Sequence, residues 1–84
     1  MAEFVLSEHA KTMKRERGIQ DSWITQTLHQ PEYIEYRDDG TGHYMRKIDE
    51  KEGKYLRVVV NELVRPARIV TMFFDRRVRP DHEA

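Results

Sequence analysis

The spacing of apolar and polar positions changes once along the chain, near Pro31. Before that point apolar residues recur at the spacing of an amphipathic helix. Residues 8–17 lack Gly and Pro, while Ser7 before them and Gly18 after them are typical cap residues. A second helical stretch begins near Asp21 and ends before the proline. The sequence therefore predicts two short helices joined as a tight hairpin.

After the proline the period becomes two, which is typical of strands. Four segments follow, "EYIEYR", "HYMRKID", "KYLRVVVNEL" and "RIVTMFF", and the breaks between them are "DDGTG", "EKEG" and "VRPA". Short turns join antiparallel neighbours, so we predict an α+β fold with two N-terminal helices packed on a four-stranded antiparallel sheet. The apolar "EFVL" at the start is either an edge strand or a lead-in to the first helix.

The expected core lies between the two helices and one face of this sheet. Its predicted residues are Trp23, Ile24, Leu28, Leu56, Val58, Val60, Val70, Met72 and Phe74. The fourth of these strands is apolar on both faces, so its second face needs a cover, either the N-terminal segment or a second copy. We expect a homodimer through the sheet or an edge strand.

Composition indicates one small domain without covalent staples. The 84 residues include no cysteine, which excludes disulfides and thiolate metal sites. We expect a single domain over 1–84, ordered from about residue 4 to residue 75, with a polar tail at 76–84. No stretch approaches the roughly 20 apolar residues of a membrane span, so we expect a cytoplasmic bacterial protein that does not associate with a membrane.

Charge is balanced in total but unevenly placed. Fifteen basic and 15 acidic residues cancel, yet the cations gather in the first and last quarters of the chain and the acids in the middle. If the two ends meet in space, a basic patch forms despite the zero net charge.

Four residues are candidates for a functional site. His9 falls at the rim of the inner face of the first helix, and its imidazole titrates near neutral pH. Arg17 falls in the same arc, where it needs carboxylate or carbonyl partners. Tyr55 and Arg57 lie two residues apart on a strand and share a face.

Each candidate also has a structural interpretation: a histidine bonded to backbone, an internal ion pair, or cross-strand packing. No pair of histidines has the helical spacing of metal ligands, and no Gly-rich phosphate loop or dinucleotide motif occurs. The sequence therefore predicts no metal and no cofactor.

Several stretches resemble a family of small bacterial proteins known only as a domain of unknown function. They are "SEHAKTMKRERGIQDSWI", "PEYI", "KYLRVVV" and "RIVTMFF", and the resemblance covers roughly residues 4–75. The family opens with Ser-x-His-Ala, followed by Arg-Gly-Ile and a second helix. The corresponding residues here are Ser7, His9, Ala10, Arg17, Gly18 and Ile19.

That family is similar to the RelE/ParE/BrnT toxin superfamily, in which RelE-like and BrnT-like members cleave RNA and ParE-like members poison gyrase. The resemblance implies a toxin-like fold and leaves two functions open. One is a metal-independent ribonuclease toxin with RNA and a cognate antitoxin as partners: His9 is its acid or base, Arg17 and Arg57 hold the phosphate, and Tyr55 stacks or donates. The other is a non-catalytic interaction or dimerisation module. The ribonuclease requires the four residues to converge on one groove.

Overall fold

The computed structural model describes residues 4–78, which form two helices and a five-stranded sheet. The elements in chain order are β1 (Phe4–Leu6), α1 (Glu8–Glu16), α2 (Asp21–His29), β2 (Tyr33–Tyr36), β3 (Thr41–Ile48), β4 (Lys54–Asn61) and β5 (Ala67–Asp75). A 3₁₀ turn at Asp49–Lys51 precedes β4. Of the polar tail predicted for 76–84, the part from residue 79 onward lies outside the described residues.

The sheet is mixed, with the strand order β1-β5-β4-β3-β2. Strands β2 to β5 form the predicted antiparallel meander, whereas β1 pairs with β5 in parallel. The prediction of four antiparallel strands was therefore wrong, although the fold is still α+β. The physical reason is that β1 has only three residues, too few to show a period, and its partner lies at the far end of the chain, where no local turn signals the pairing.

Local sequence sets the ends of the helices. The Ser7 hydroxyl accepts a hydrogen bond from the backbone N–H of Ala10 at 3.0 Å, which caps α1. Gly18 follows α1 with φ at 62°, a left-handed conformation that glycine adopts without steric cost. Neither helix in this described region is long and apolar enough to cross a bilayer.

The core lies between the helices and one face of the sheet. Trp23 is 5% exposed, and its ring packs edge-on against Phe74 with the centroids 6.1 Å apart. The predicted core residues that are buried are Trp23, Ile24, Leu56, Val58, Val60 and Met72. Leu28 and Phe74 are half-buried against them.

A bulge in β5 displaces one predicted core residue. Val60 pairs with Ile69 whereas Val59 pairs with Thr71, so Val70 is the extra residue. Ile69 therefore takes the core position, at 1% exposed, and Val70 is half-buried outside the core. A bulge shifts the alternation of a strand by one residue, which is why strict alternation misplaced this valine.

The helices cover the sheet unequally. α2 packs across β3 and β4, while α1 packs along β5. β1 pairs with β5 only up to Ile69, and beyond that residue α1 follows the strand edge. Ser7 begins this contact, since its N–H donates to the carbonyl of Ile69 at 2.9 Å and its hydroxyl donates to that of Val70 at 3.2 Å. Two surfaces result: the seam between α1 and β5, and the sheet face that carries no helix within residues 4–78, here termed the helix-free face.

Candidate functional site

An open groove runs along the seam between α1 and β5. Its lining residues are His9, Met13, Arg17, Lys51, Lys54, Thr71, Phe73, Phe74 and Arg76. Four of these nine side chains are Lys or Arg, and none is acidic. We therefore name this surface the cationic groove.

The four cations of the groove have no carboxylate partner in the described part of the chain. Arg17 donates only to the backbone carbonyl of Met72, at 3.4 Å, and the Lys51 ammonium lies 5.9 Å from the centroid of the Phe74 ring. The cationic side chains that do form ion pairs within residues 4–78 are Lys11, Lys14, Arg37, Arg57 and Arg77. Unpaired cations that face one groove create a positive potential and attract anions.

The outer side of α1 differs from its groove side. Lys11 lies 3.4 Å from the Glu8 carboxylate, and Lys14 lies 3.1 Å from that of Asp21. Both acidic partners are largely exposed, and exposed pairs of this kind contribute little to stability. Lys11 and Lys14 on the outer side of α1 are thus paired with acids, whereas Arg17, the C-cap residue of the helix, is open to a ligand.

His9 lies at the rim of the groove and is exposed. It makes no hydrogen bond or ion pair with any residue between 4 and 78. Arg17 is eight positions further along α1, about 12 Å along the helix axis. The two side chains therefore flank one groove without touching, and an accessible imidazole beside unpaired cations can exchange a proton with a bound anion.

The other two candidates, Tyr55 and Arg57, lie on β4 with their side chains on the helix-free face. Arg57 is 9% exposed, and its Nε donates to Oδ2 of Asp75 at 2.8 Å. Its Nη1 lies 2.9 Å from Nδ1 of His43 and 3.5 Å from Oε1 of Glu35. We name Arg57, Asp75, His43 and Glu35 the Arg57 cluster. One member comes from each of β2, β3, β4 and β5, so the cluster ties four adjacent strands together.

Asp75 balances the charge of Arg57. Burial alone raises the pKa of the Asp75 carboxyl, but hydrogen bonds from the side chain and backbone of Arg77, and from Arg57, outweigh burial and lower that pKa to about 2. The carboxylate is therefore ionised at neutral pH, and the guanidinium beside it is neutralised in place.

His43 is held in its neutral form by the same cluster. A guanidinium only donates hydrogen bonds, so Nδ1 of His43 accepts from Arg57 and the ring proton lies on Nε2. Partial burial and the charges of Arg37 and Arg57 lower the pKa of the imidazole. At neutral pH His43 therefore accepts a hydrogen bond at Nδ1 and carries its ring proton on Nε2, which can donate.

Tyr55 is also fully engaged. It is 6% exposed, and its hydroxyl donates to Oε1 of Glu32 at 3.2 Å. Burial and the neighbouring Glu32 carboxylate raise the pKa of the phenol to about 12. Its ring lies beside that of Tyr33, with centroids 6.0 Å apart. Tyr55 thus remains protonated at neutral pH and offers little free ring surface.

The four predicted site residues therefore do not converge on one groove, which the ribonuclease predicted from the sequence requires; they are divided between two surfaces. His9 and Arg17 share the cationic groove, while Tyr55 and Arg57 lie on the helix-free face. A smaller groove lined by Tyr55 and Asp75 adjoins the first, because both grooves include Lys54, Phe74 and Arg76. The two surfaces meet at the end of β5.

Sequence reasoning missed the lysines of the groove. Tyr55 pairs with Asp75 in the antiparallel register of β4 and β5, so the residues next to them, Lys54 and Arg76, are neighbours. The predicted meander contained this signal, because it places the start of the third of its strands beside the end of the fourth. The groove also joins Arg17 to Arg76, so the two basic ends of the chain meet, as the uneven charge distribution suggested.

Metal ligands do not gather anywhere in the described residues, where no group of three His, Asp or Glu side chains could hold an ion.

Among known proteins, no curated protein and no solved structure matches this chain. The profile of a domain of unknown function, DUF4258, matches residues 6–74, a range that contains both helices and the strands β2, β3 and β4 in full. The chain therefore belongs to the DUF4258 family.

Proposed function

We propose that this protein is a ribonuclease of the toxin-antitoxin kind, which binds RNA in the cationic groove and cleaves it without a metal ion. The observation that carries the proposal is the convergence of an exposed imidazole and four cations on one groove, where no acidic residue between 4 and 78 pairs with them or lines the surface. The phosphate backbone of RNA is the polyanion that such a surface attracts.

The chemistry that fits this arrangement is attack by the RNA's own 2′-hydroxyl. Its oxygen bonds to the adjacent phosphorus, the bond to the 5′-oxygen breaks, and the products carry a 2′,3′-cyclic phosphate and a 5′-hydroxyl. One group removes the proton of the 2′-hydroxyl and another protonates the leaving oxygen; His9 takes one of these roles. Arg17 and Lys54 stabilise the charge that develops on the phosphate oxygens.

This ribonuclease differs from the one predicted from the sequence, because its site contains His9 and Arg17 but neither Arg57 nor Tyr55. Their partners Asp75 and Glu32 already occupy them, so they support the sheet from which Phe73 and Arg76 extend. A direct contact of either residue with RNA requires the strand to continue through the adjoining groove onto the helix-free face.

The test is cleavage of an end-labelled single-stranded RNA at low salt, with EDTA present. His9→Ala is expected to lower the cleavage rate by roughly 10²–10⁴-fold, the usual contribution of a general acid or base. Its thermal unfolding should be unchanged, because His9 is exposed and makes no hydrogen bond with the described residues 4–78. His29→Ala is the matched control: this histidine is also exposed, ends α2, and lies outside the cationic groove.

Two outcomes contradict the ribonuclease. One is intact RNA after prolonged incubation with the wild-type protein at low salt. The other is equal loss of activity in the His9 and His29 variants, which would place the cleavage outside the groove. Cleavage that continues in EDTA and leaves cyclic phosphate ends supports the proposal.

The toxin proposal includes a cognate antitoxin. Production of the chain alone should then slow bacterial growth, and His9→Ala should relieve this effect. A small protein encoded beside the gene should restore growth when both are produced together. Growth that is unaffected by the wild-type chain speaks against a toxin.

A second function, as a dimerisation module, is favoured by the edge strand β2. Ile34 and Tyr36 are 41% and 66% exposed, and the outer backbone groups of an edge strand can pair with another chain. We propose that a second copy pairs along this edge. Sedimentation at micromolar concentration should then give twice the 10.1 kDa mass of the chain, and Ile34→Lys should return it to a monomer. A monomeric wild-type protein excludes this function.

A further inference from the structure

The two phenylalanines of the cationic groove differ in their contacts. Phe74 packs against Trp23 on one side and lies beside the Lys51 ammonium. Phe73 is half-buried and has no aromatic or cationic partner for its ring among residues 4–78. The groove therefore contains one aromatic ring that no described side chain stacks on.

The position of Phe73 follows from the register of β5. Phe73 pairs with Arg57 and Phe74 pairs with Leu56, so the two rings leave the strand on opposite faces, yet both line the groove. The groove thus wraps around the edge of β5. Phe73 lies between the unpaired cations on one side and the Arg57 cluster on the other.

A groove that binds only phosphates needs no aromatic side chain. Proteins that bind single-stranded nucleic acid combine cations that follow the backbone with aromatic rings on which bases stack. A duplex cannot use such a ring, because its bases are stacked and paired inside the helix. The Phe73 ring beside Arg17, Lys54 and Arg76 has this combination.

We propose that the cationic groove takes single-stranded nucleic acid, with an unpaired base stacked on Phe73 and the flanking phosphates on the groove cations. The proposal rests on the RNA binding proposed above. It adds that the bound nucleic acid is single-stranded and that Phe73 distinguishes it from a duplex. Phe73 is then a specificity residue and not a catalytic one.

The experiment measures affinity by fluorescence anisotropy, with a 2′-O-methyl RNA that cannot be cleaved. Competitors are the same sequence as a duplex, an abasic strand with the same phosphates, and inorganic polyphosphate. Phe73→Leu keeps an apolar side chain and removes the ring; Phe73→Tyr keeps the ring. Lys54→Ala removes a groove cation, and Arg15→Ala removes an exposed cation of α1 that does not line the groove.

Loss of the ring in Phe73→Leu is expected to weaken single-strand binding by about tenfold, the scale of one base–aromatic contact. Phe73→Tyr should keep full affinity, and neither change should alter binding of polyphosphate. Lys54→Ala should weaken the binding of both ligands, and Arg15→Ala that of neither. The abasic strand should bind the wild-type protein about tenfold more weakly than the base-bearing strand, a comparison that needs no variant to fold.

The outcomes separate the two proposals. Equal affinity for abasic and base-bearing strands, or for single strand and duplex, overturns the role of Phe73 while leaving phosphate binding intact. If neither RNA nor polyphosphate binds, the RNA-binding function itself fails, and this inference fails with it.

Discussion

The cationic groove and the Arg57 cluster both contain positive side chains, but these side chains differ in exposure and in pairing. In the groove Arg17, Lys54 and Arg76 face solvent, and none of them has a carboxylate partner in the described part of the chain. In the cluster the Arg57 side chain is 10% exposed and lies 2.8 Å from a carboxylate that is itself 2% exposed. The groove therefore keeps a positive potential that can attract an anionic ligand. In the cluster the charge of Arg57 is balanced by a carboxylate inside the fold.

The comparison shows that pairing and burial are more informative than the type of residue. A buried charge without a partner is strongly unfavourable, so Arg57 lies where Asp75 and Glu35 surround it. An exposed cation needs no partner, and its convergence with others on one groove is what points to a ligand. We therefore expect the cluster to control stability and the groove to control binding.

The largest effect is expected from the cluster. Asp75→Ala leaves the Arg57 guanidinium buried beside an empty position and should lower the free energy of unfolding by about 3–5 kcal/mol. Urea denaturation monitored by the fluorescence of Trp23 measures this loss. Arg76→Ala, one residue further and in the groove, should change stability by less than about 0.5 kcal/mol.

A double variant sharpens this test. Replacing Asp75 and Arg57 together by Leu and Met removes both charges and should cost much less than Asp75→Ala alone, because no buried charge is left unpaired. If Asp75→Ala is nearly as stable as the wild type, the Arg57 cluster does not control the stability of the fold.

The second expected effect is a loss of stability in acid. The pKa of Asp75 is about 2 in the folded protein against an ordinary value of 3.8, so the unfolded chain takes up this proton first as the pH falls. The contribution of Asp75 is complete above its ordinary pKa. It should be lost between pH 3.8 and 2, by about 2 kcal/mol.

Urea denaturation across this pH range measures the acid effect. Asp75→Asn cannot titrate and should lack this segment of the stability curve. The groove variant Arg76→Ala should retain it. A wild-type curve that is flat below pH 4 would show that the Asp75 carboxylate gains little from its arginine partners.

Much of the fold was predictable, because its signals are local. Ser7 and Gly18 delimit α1, and the alternation in β4 places Leu56 in the core, so helices and meander follow from short segments. β1 and the bulge at Val70 were not predictable in this way. The pairing of β1 depends on contact between opposite ends of the chain. The bulge is a one-residue register shift, and because β5 is apolar on both faces, the sequence pattern does not show where its alternation changes.

The site was only partly predictable for a related reason. The helical arc placed His9 and Arg17 on one side of α1, and the structure brings both to the groove. The Arg57 cluster depends on which residues face each other across strands: His43 pairs with Val59, two residues from Arg57, and Asp75 ends a strand. An isolated strand shows the face of a residue but not its neighbours on other strands.

A smaller effect on stability is expected at Arg17, which separates binding from folding. Arg17→Ala removes one long, partly buried hydrogen bond from an exposed side chain to the Met72 carbonyl, so the loss should be about 0.5–1 kcal/mol. RNA affinity should fall at low salt, and the slope of log affinity against log salt should decrease by about one. A large loss of stability with unchanged affinity would make Arg17 a structural residue.

The smallest effect is expected at Lys14, on the same helix but paired with Asp21 at 3.1 Å. The ammonium also lies in the last turn of α1, where a cation complements the helix dipole. The Asp21 side chain is 85% exposed, so Lys14→Ala should lower the free energy of unfolding by only about 0.3 kcal/mol. Raising the salt concentration in urea denaturation should shrink this difference, and RNA affinity should equal that of the wild type. If Lys14→Ala weakens RNA binding as much as Arg17→Ala does, the whole basic surface of α1 attracts RNA, and the distinction between paired and unpaired cations does not define the site.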